Sequence, residues 1–569
     1  MTAAPAGSAV EGTLRPASTV MRLARLGAFF PTRISFLRTM IRRLHGEGAV
    51  VRRPVWRIDD RGYGVAVYSL DFGGHPYSLV AFSTELAPED RSDRVIAEAW
   101  DTSYVLFDGI PDAADIDRLA AAVPRQEAAR YTGRDLVLSR ANRSVRLFDH
   151  VVDALARGDQ PDRTLIAETG YLMRTTAVYG NGKFGIADRA RIAGRPGLGG
   201  PFQAEMLAVW LIRGFTLDLV EHIARRRGGA QAATLAPGYR RYLGIGNSTG
   251  LGMAPFLVNH PLLLHNWIAA RETALARVRG IERAAEAEIS AFLAGLDRVR
   301  AHVRDWRVSD SRQMARIEVL DVELEAVSGW LDAAWLSRLW PWERLMAEAE
   351  RLSLEGQELL VSLVLEPHGA LIDDTADCMA SAGEPRLDPT VTVGDLRRAL
   401  DTAFDWALAI DFSQPGECQR FWYVSEEKSE PRLGERRLEA GAEREMPLDV
   451  ARRVQALDSD LAAADPAERL ARFLLRHPQH RFAVGRVQLA AGHPYAEIRD
   501  NLIGAGCVPV DMLRCKLSFF GAGRFDPKSD RWTRIVLFQG APGLDDIATA
   551  DPDGWAFPIL ARDVAGTGP

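Results

Sequence analysis

Gly64-Val-Ala-Val-Tyr-Ser-Leu70-Asp-Phe-Gly73-Gly74-His-Pro-Tyr77-Ser-Leu-Val-Ala-Phe82 is the stretch that decides the fold. Two runs rich in β-branched and aromatic residues flank a pair of glycines. Such a pair supplies the positive φ angles that a two-residue hairpin turn requires. The spacing predicts strands over 64–70 and 77–82, with strand character from Trp56 and a third strand from Ser103 to Phe107. Helical segments are expected next, ending near His150.

Downstream the period changes. Between Phe202 and Arg227, Met206, Leu207, Trp210, Leu211, Phe215, Leu219 and Ile223 recur at helical spacing. A long helical run from Met253 to about Val303, kinked at Pro261, and helices over 311–350, 353–382, 393–410 and 448–475 follow. Trp330, Trp335, Trp340 and Trp342 are expected to pack that helical core. Strand character returns over Phe482–Leu489, Lys516–Phe520 and Thr533–Phe538. The expected fold class is α+β, predominantly helical. A large central all-α region is flanked by N- and C-terminal segments that share a small mixed or antiparallel sheet. The divisions read from this are a disordered tail (1–20), an N-terminal α+β region (21–150), a central helical domain (151–475) and a C-terminal α+β region (476–569).

The apolar fraction of 47% is enough for several cores in 569 residues. The formal net charge of -6 argues against a nucleic-acid partner. No apolar run approaches the length of a membrane span, so no integral membrane association is expected. Cys378, Cys418, Cys507 and Cys515 are scattered and lack CxxC spacing, which reads as reduced thiols and a cytoplasmic location. The arginine-rich segment from Val20 to Leu44 reads as a helix docked by its apolar side. A membrane-surface helix or a transit peptide is the alternative.

Only four of the 70 basic residues are lysine: Lys183, Lys428, Lys516 and Lys528. An ammonium can lose its proton when desolvated and a guanidinium effectively cannot, so lysines retained in an arginine-rich chain are candidates for function. Their surroundings define the candidate sites. Tyr179-Gly-Asn-Gly-Lys183 combines Asn181, Gly182 and Lys183 in a segment whose backbone and side chains suit an anion; the plain alternative is a tight turn. Gly244-Ile-Gly-Asn-Ser-Thr-Gly-Leu-Gly252 leads into a helix, where free N–H groups favour negative charge. Gly246, Asn247, Ser248, Gly250 and the following His260 are its candidate anion binders, and His265 lies on the same predicted helix. The same string fits the GxSxG nucleophile elbow, with a short strand over Tyr242–Ile245 to precede it. It also fits a dinucleotide string, but the alternating βα units of a Rossmann fold are missing from the pattern.

Glu426, Glu427, Lys428 and Arg432 crowd together after Phe421-Trp-Tyr423. A carboxylate and an ammonium held close shift each other's pKa values, as acid/base work requires, although charge runs are commonly salt-bridged and solvated. Arg514 and Lys516 flank Cys515. That thiol reads as a buried small residue, with an activated cysteine the sharper alternative. No metal is expected. His477-Pro-Gln-His480 is an isolated pair, and two ligands do not close a zinc site. Glu366, His368, Asp373 and Asp374 are the remaining grouping that suits a divalent ion.

The expected function is a cytoplasmic enzyme acting on an anionic small molecule, a carboxylate or phosphate. The glycine loops hold the anion, and Lys428 with Glu426 or Glu427 moves the proton; Lys183 is a further catalytic candidate. The alternatives are a serine hydrolase using Ser248, and a non-catalytic scaffold or regulatory protein. The cofactor is left open, the partner is the anionic ligand, and a homodimer is the base-rate expectation.

Overall fold

The computed structural model describes residues 14–21, 36–91, 99–124, 131–176, 192, 194–199, 203–245, 261–307, 311–369, 371, 374–375, 387–413, 422–424, 431–432, 446–448, 450–499, 544 and 562–563. Two compact units are formed, one from Ser35–Leu251 with Val536–Pro569, the other from Met1–Ile34 with Gly252–Ile535. The fold is α+β and predominantly helical. Among the described residues, no helix is long and apolar enough to cross a membrane.

The first unit is built on an antiparallel meander of β1 (Arg52–Ile58), β2 (Gly64–Phe72), β3 (His75–Ser83), β4 (Thr102–Asp108), β5 (Asp135–Arg143) and β6 (Met173–Thr176). The strand Arg562–Asp563 pairs in parallel with β1, so the two ends of the chain do share one mixed sheet. The β2–β3 turn is the expected two-residue hairpin. Phe72 pairs with His75, and Gly73 and Gly74 have φ of 62° and 72°. Positive φ at both central residues is what the right-handed strand twist requires of such a turn.

Both faces of the sheet are covered. On one, Val67, Val80, Phe82, Val105, Phe107 and Leu138 pack against Ile116 and Leu119 of α2 (Ala113–Ala122) and the adjoining Val123. On the other, Phe215 of the long helix α5 (Gln203–Gly228) meets Trp56, Tyr68 and Tyr104 at ring separations of 5.8–6.3 Å. Neighbouring residues such as Val67 and Tyr68 thus serve opposite faces, as the period of two dictates. Helix α5 is buried nearly all round because α1 (Phe36–Gly46), α3 (Phe148–Ala156) and α6 (Pro237–Ile245) also pack on it. Helix α4 (Arg163–Thr169) precedes β6.

Three sequence expectations are corrected here. Strands β5 and β6 lie where only helix was expected before and beyond His150. Two arginines of β5 obscured it; Arg140 lies 4.4 Å from the Trp100 ring, and Arg143 lies 4.7 Å from that of Phe148, so both are accommodated in a sheet that composition alone would call too charged. Tyr242–Ile245 belongs to helix α6 rather than a strand. Tyr242 is buried and donates its hydroxyl to the carbonyl of Ala167 at 3.3 Å, which fixes that helix face inward.

The second unit is a helical assembly with α7 (Pro261–Arg279), α8 (Glu286–Asp305), α9 (Ser311–Trp330), α10 (Pro341–Ala349), α11 (Leu354–Leu365), α12 (Val393–Ala403), α13 (Val450–Ala462), α14 (Leu470–Arg476) and α15 (Arg481–Gly492). The expected 253–303 run is broken at Gly280, between α7 and α8. A small sheet joins β7 (Trp422–Val424) to β8 (Pro431–Arg432) and β9 (Met446–Leu448). Phe482–Leu489, expected as a strand, is helical within α15. Its buried residues Ala483, Val484, Val487 and Ala490 follow the helical period. Of the four tryptophans, only Trp342 is fully buried; Trp330 and Trp340 are 39% and 44% exposed, and Trp335 is half-buried. Trp340 caps α10 in the left-handed region, donating its N–H to Glu282.

Candidate functional site

The sequence-derived candidates Asn181, Gly182, Lys183, Gly246, Asn247, Ser248, Gly250, His260, Glu426, Glu427, Lys428, Arg514 and Lys516 lie outside the described residues. Arg432 is in β8, where its backbone pairs with Tyr423. The helical assignment of Tyr242–Ile245 removes the strand that the Ser248 elbow was expected to follow.

A site emerges instead around α7, the helix that follows the glycine loop in sequence. His265 lies in its second turn, half-buried. Its Nδ1 is 3.1 Å from the backbone N of Tyr495, and an amide N–H only donates, so Nδ1 is the acceptor. Burial, aided by the neighbouring His493, pushes the His265 pKa down to about 4. His265 is therefore neutral at pH 7 with its proton on Nε2. His493 has the opposite arrangement. Its Nδ1 is 3.0 Å from the carbonyl oxygen of Leu489, which only accepts, so Nδ1 carries a proton. The rings meet edge to face at 5.0 Å, and Tyr495 stacks on His265 at 5.6 Å.

Behind this pair lies a group of buried charges. The Tyr495 hydroxyl donates to the Arg15 carbonyl at 2.7 Å, and burial followed by the Glu272 charge pushes its pKa up to about 12. Arg15 grips Glu272 with two hydrogen bonds of 2.8 Å. Arg271 bonds the same carboxylate at 2.9 Å and lies 3.6 Å from Glu358 of α11. Arg271 and Glu272 are completely buried side chains. Burial alone raises the Glu272 pKa, but Arg15 and Arg271 more than offset it and hold the carboxyl below its usual value. Each buried ion costs several kcal/mol of desolvation, roughly, which only such close pairing offsets. Leu14 to Met21, within the stretch read largely as a disordered tail, are thereby fixed to the helical unit, with Val20 and Met21 buried.

His493 also lines a cavity of about 370 Å³ between α12 and α15. Its walls are largely apolar, with Leu387, Val391, Leu396 and Leu489 among them. Asp388 and Asp395 stand on its wall, but both carboxylates are engaged by the N–H and hydroxyl groups of Thr390 and Thr392. The cavity suits an uncharged, apolar group.

Two other clusters were anticipated in part. His368, read with Glu366, Asp373 and Asp374 as a divalent-ion grouping, turns instead to Glu288 at 3.3 Å and to the edge of Trp342. Asp373 lies outside the described residues. The His477 and His480 pair acquires a carboxylate, because Asp460 of α13 reaches both. In the sheet-containing unit, Asp108 joins His75 at 2.5 Å and Arg195 at 2.6 Å; this pairing carries no signal in sequence. His265 was noted as a helical neighbour of the glycine loop, but its partners lie some 230 positions away. No family model matches the chain, and no curated protein or solved structure is similar to it.

Proposed function

We propose that the protein is a cytoplasmic enzyme that moves a proton on an anionic small molecule, with His493 as the base and the neutral His265 as a hydrogen-bond donor through Nε2. The observation that carries this reading is the opposite use of Nδ1 by two adjacent imidazoles beside a cavity: it accepts in His265, which leaves that ring's proton on Nε2, and donates in His493. In this arrangement His493 takes the proton, and the Nε2–H of His265 donates a hydrogen bond to the atom on which negative charge develops. An apolar part of the substrate fits the cavity walls. The anionic part of the proposal is an expectation from the glycine segments of the sequence alone, which lie outside the described residues and are not placed at the histidine pair, and the cytoplasmic part rests on the scattered cysteines.

The test is a thermal-shift panel of carboxylates and phosphate esters, each paired with its neutral amide or alcohol, followed by NMR detection of deuterium exchange into any compound that binds. Selective stabilisation by the anions is expected, with exchange lowered by about 10²–10⁴-fold in His265→Gln and His493→Gln proteins that still bind the compound. Equal shifts for anion and neutral partner, or unchanged exchange in both variants, overturn the proposal.

A further inference from the structure

Asp460, His477 and His480 present one ligand atom each within 4.8 Å of one another. His477 ends α14 and precedes the 3₁₀ turn Pro478–His480, whose last residue caps α15. The rings lie side by side, 6.0 Å apart and 26° from parallel. Asp460 comes from α13. Its Oδ2 is 2.7 Å from His480 Nε2 and 3.2 Å from His477 Nδ1.

We propose that these three side chains form a binding site for a divalent transition metal, with Zn²⁺ the fitting ion. Metal–ligand distances of about 2.0–2.2 Å place neighbouring ligand atoms about 3.3 Å apart in a tetrahedron and about 2.9 Å apart in an octahedron. The 3.2 Å nitrogen–oxygen separation falls inside that range and the 2.7 Å one lies just below it. Two imidazoles and one carboxylate are a donor set for zinc or a similar ion, and not for Mg²⁺ or Ca²⁺, which require oxygen ligands throughout. Among the described residues, the Asp460 carboxylate meets these histidines and no arginine, so no fixed cation competes for it. Phe473 stacks on His477 at 4.7 Å and restrains its ring. His480 is nearly buried, while Asp460 and His477 are 39% and 30% exposed, which gives an ion a path in and leaves a coordination position for water.

This site is separate from the histidine pair at α7. Helix α15 has 12 residues between His480 and His493, a length of about 18 Å. The ion would clamp α13 to the turn that starts α15.

The test uses the full chain, stripped with EDTA, dialysed and titrated with Zn²⁺ by calorimetry. Co²⁺ absorption serves as a second readout of coordination. One equivalent of Zn²⁺ is expected to bind and to raise Tm. His477→Ala and Asp460→Asn each remove one of three ligands and are expected to weaken binding on the order of 100-fold or more. Both positions are partly exposed, and circular dichroism of each variant confirms that it remains folded. Absence of a saturable equivalent in the native protein overturns the site. So does Zn²⁺ binding of native strength in both folded variants, which would assign the ion to other histidines.

Discussion

Replacing Glu272 by Gln tests the energetics of the buried charges most directly. Glu272 is the shared acceptor of Arg15, at 2.8 Å through two nitrogens, and of Arg271 at 2.9 Å. With the native carboxylates the group of four is charge-balanced. After substitution two guanidinium groups share Glu358, at 4.0 Å from Arg15 and 3.6 Å from Arg271. One positive charge is then left without a partner in the core. At an effective dielectric constant of about 20, a pair at about 4 Å interacts by about 4 kcal/mol. Breaking a buried pair from one side costs about 3–5 kcal/mol, and that is the loss expected here. Arg15→Met/Glu272→Gln leaves Arg271 opposite Glu358 and restores the balance. Its loss is expected to fall short of the sum of the single losses by at least about 1 kcal/mol. Urea unfolding followed by tryptophan fluorescence supplies the measurement, since Trp267 and Trp342 are buried in this unit. A shifted midpoint at constant slope gives the free-energy difference. The Glu272 contribution also has a defined pH window. Its carboxyl lies below the usual 4.5, so the stabilisation is complete above that pH and is lost as pH falls through the lower folded-state value. A Glu272→Gln loss under about 1 kcal/mol, or strictly additive losses in the double variant, would refute the reasoning.

Two further outcomes follow from the same packing. His265 titrates near 4 when folded, against 6.5 when unfolded, so the unfolded chain binds more protons between those values. Stability should therefore rise with pH across that window. His265→Gln should flatten the rise in a urea-midpoint series from pH 4 to 7, and an unchanged slope would show that His265 is not held neutral. Trp342 is completely buried between Phe292 at 5.3 Å and His368 at 5.6 Å, whereas Trp330 is 39% exposed. Trp342→Ala should cost about 3–5 kcal/mol in urea unfolding, and Trp330→Ala about 0.5 kcal/mol or less; similar losses for the two would contradict the packing.

What was legible in the sequence follows from the range over which each determinant acts. Gly73-Gly74 reads correctly because turn chemistry is local: both residues must reach positive φ, and glycine does so at no steric cost. The α5 helix reads correctly because its period repeats over many turns. Strand β5 did not, because its arginines become acceptable only beside Trp100 and Phe148, which the chain order does not announce. The same holds at the site. Lys183, Lys428 and Lys516 are conspicuous by rarity, a signal independent of folding. His265 is inconspicuous until the Tyr495 amide fixes its tautomer and His493 packs edge to face against it. Arg15 reads as part of a disordered tail until Glu272 comes within 2.8 Å. His477 and His480 were visible as a pair, and what they lacked was a ligand from another helix. Three-dimensional neighbours do more than confirm or cancel a sequence motif here: Asp460 brings a carboxylate to two histidines, and His493 sets a second imidazole edge to face against His265. Side-chain chemistry is encoded locally, but protonation state and the number of nearby ligand atoms are decided by partners hundreds of positions away or on a neighbouring helix.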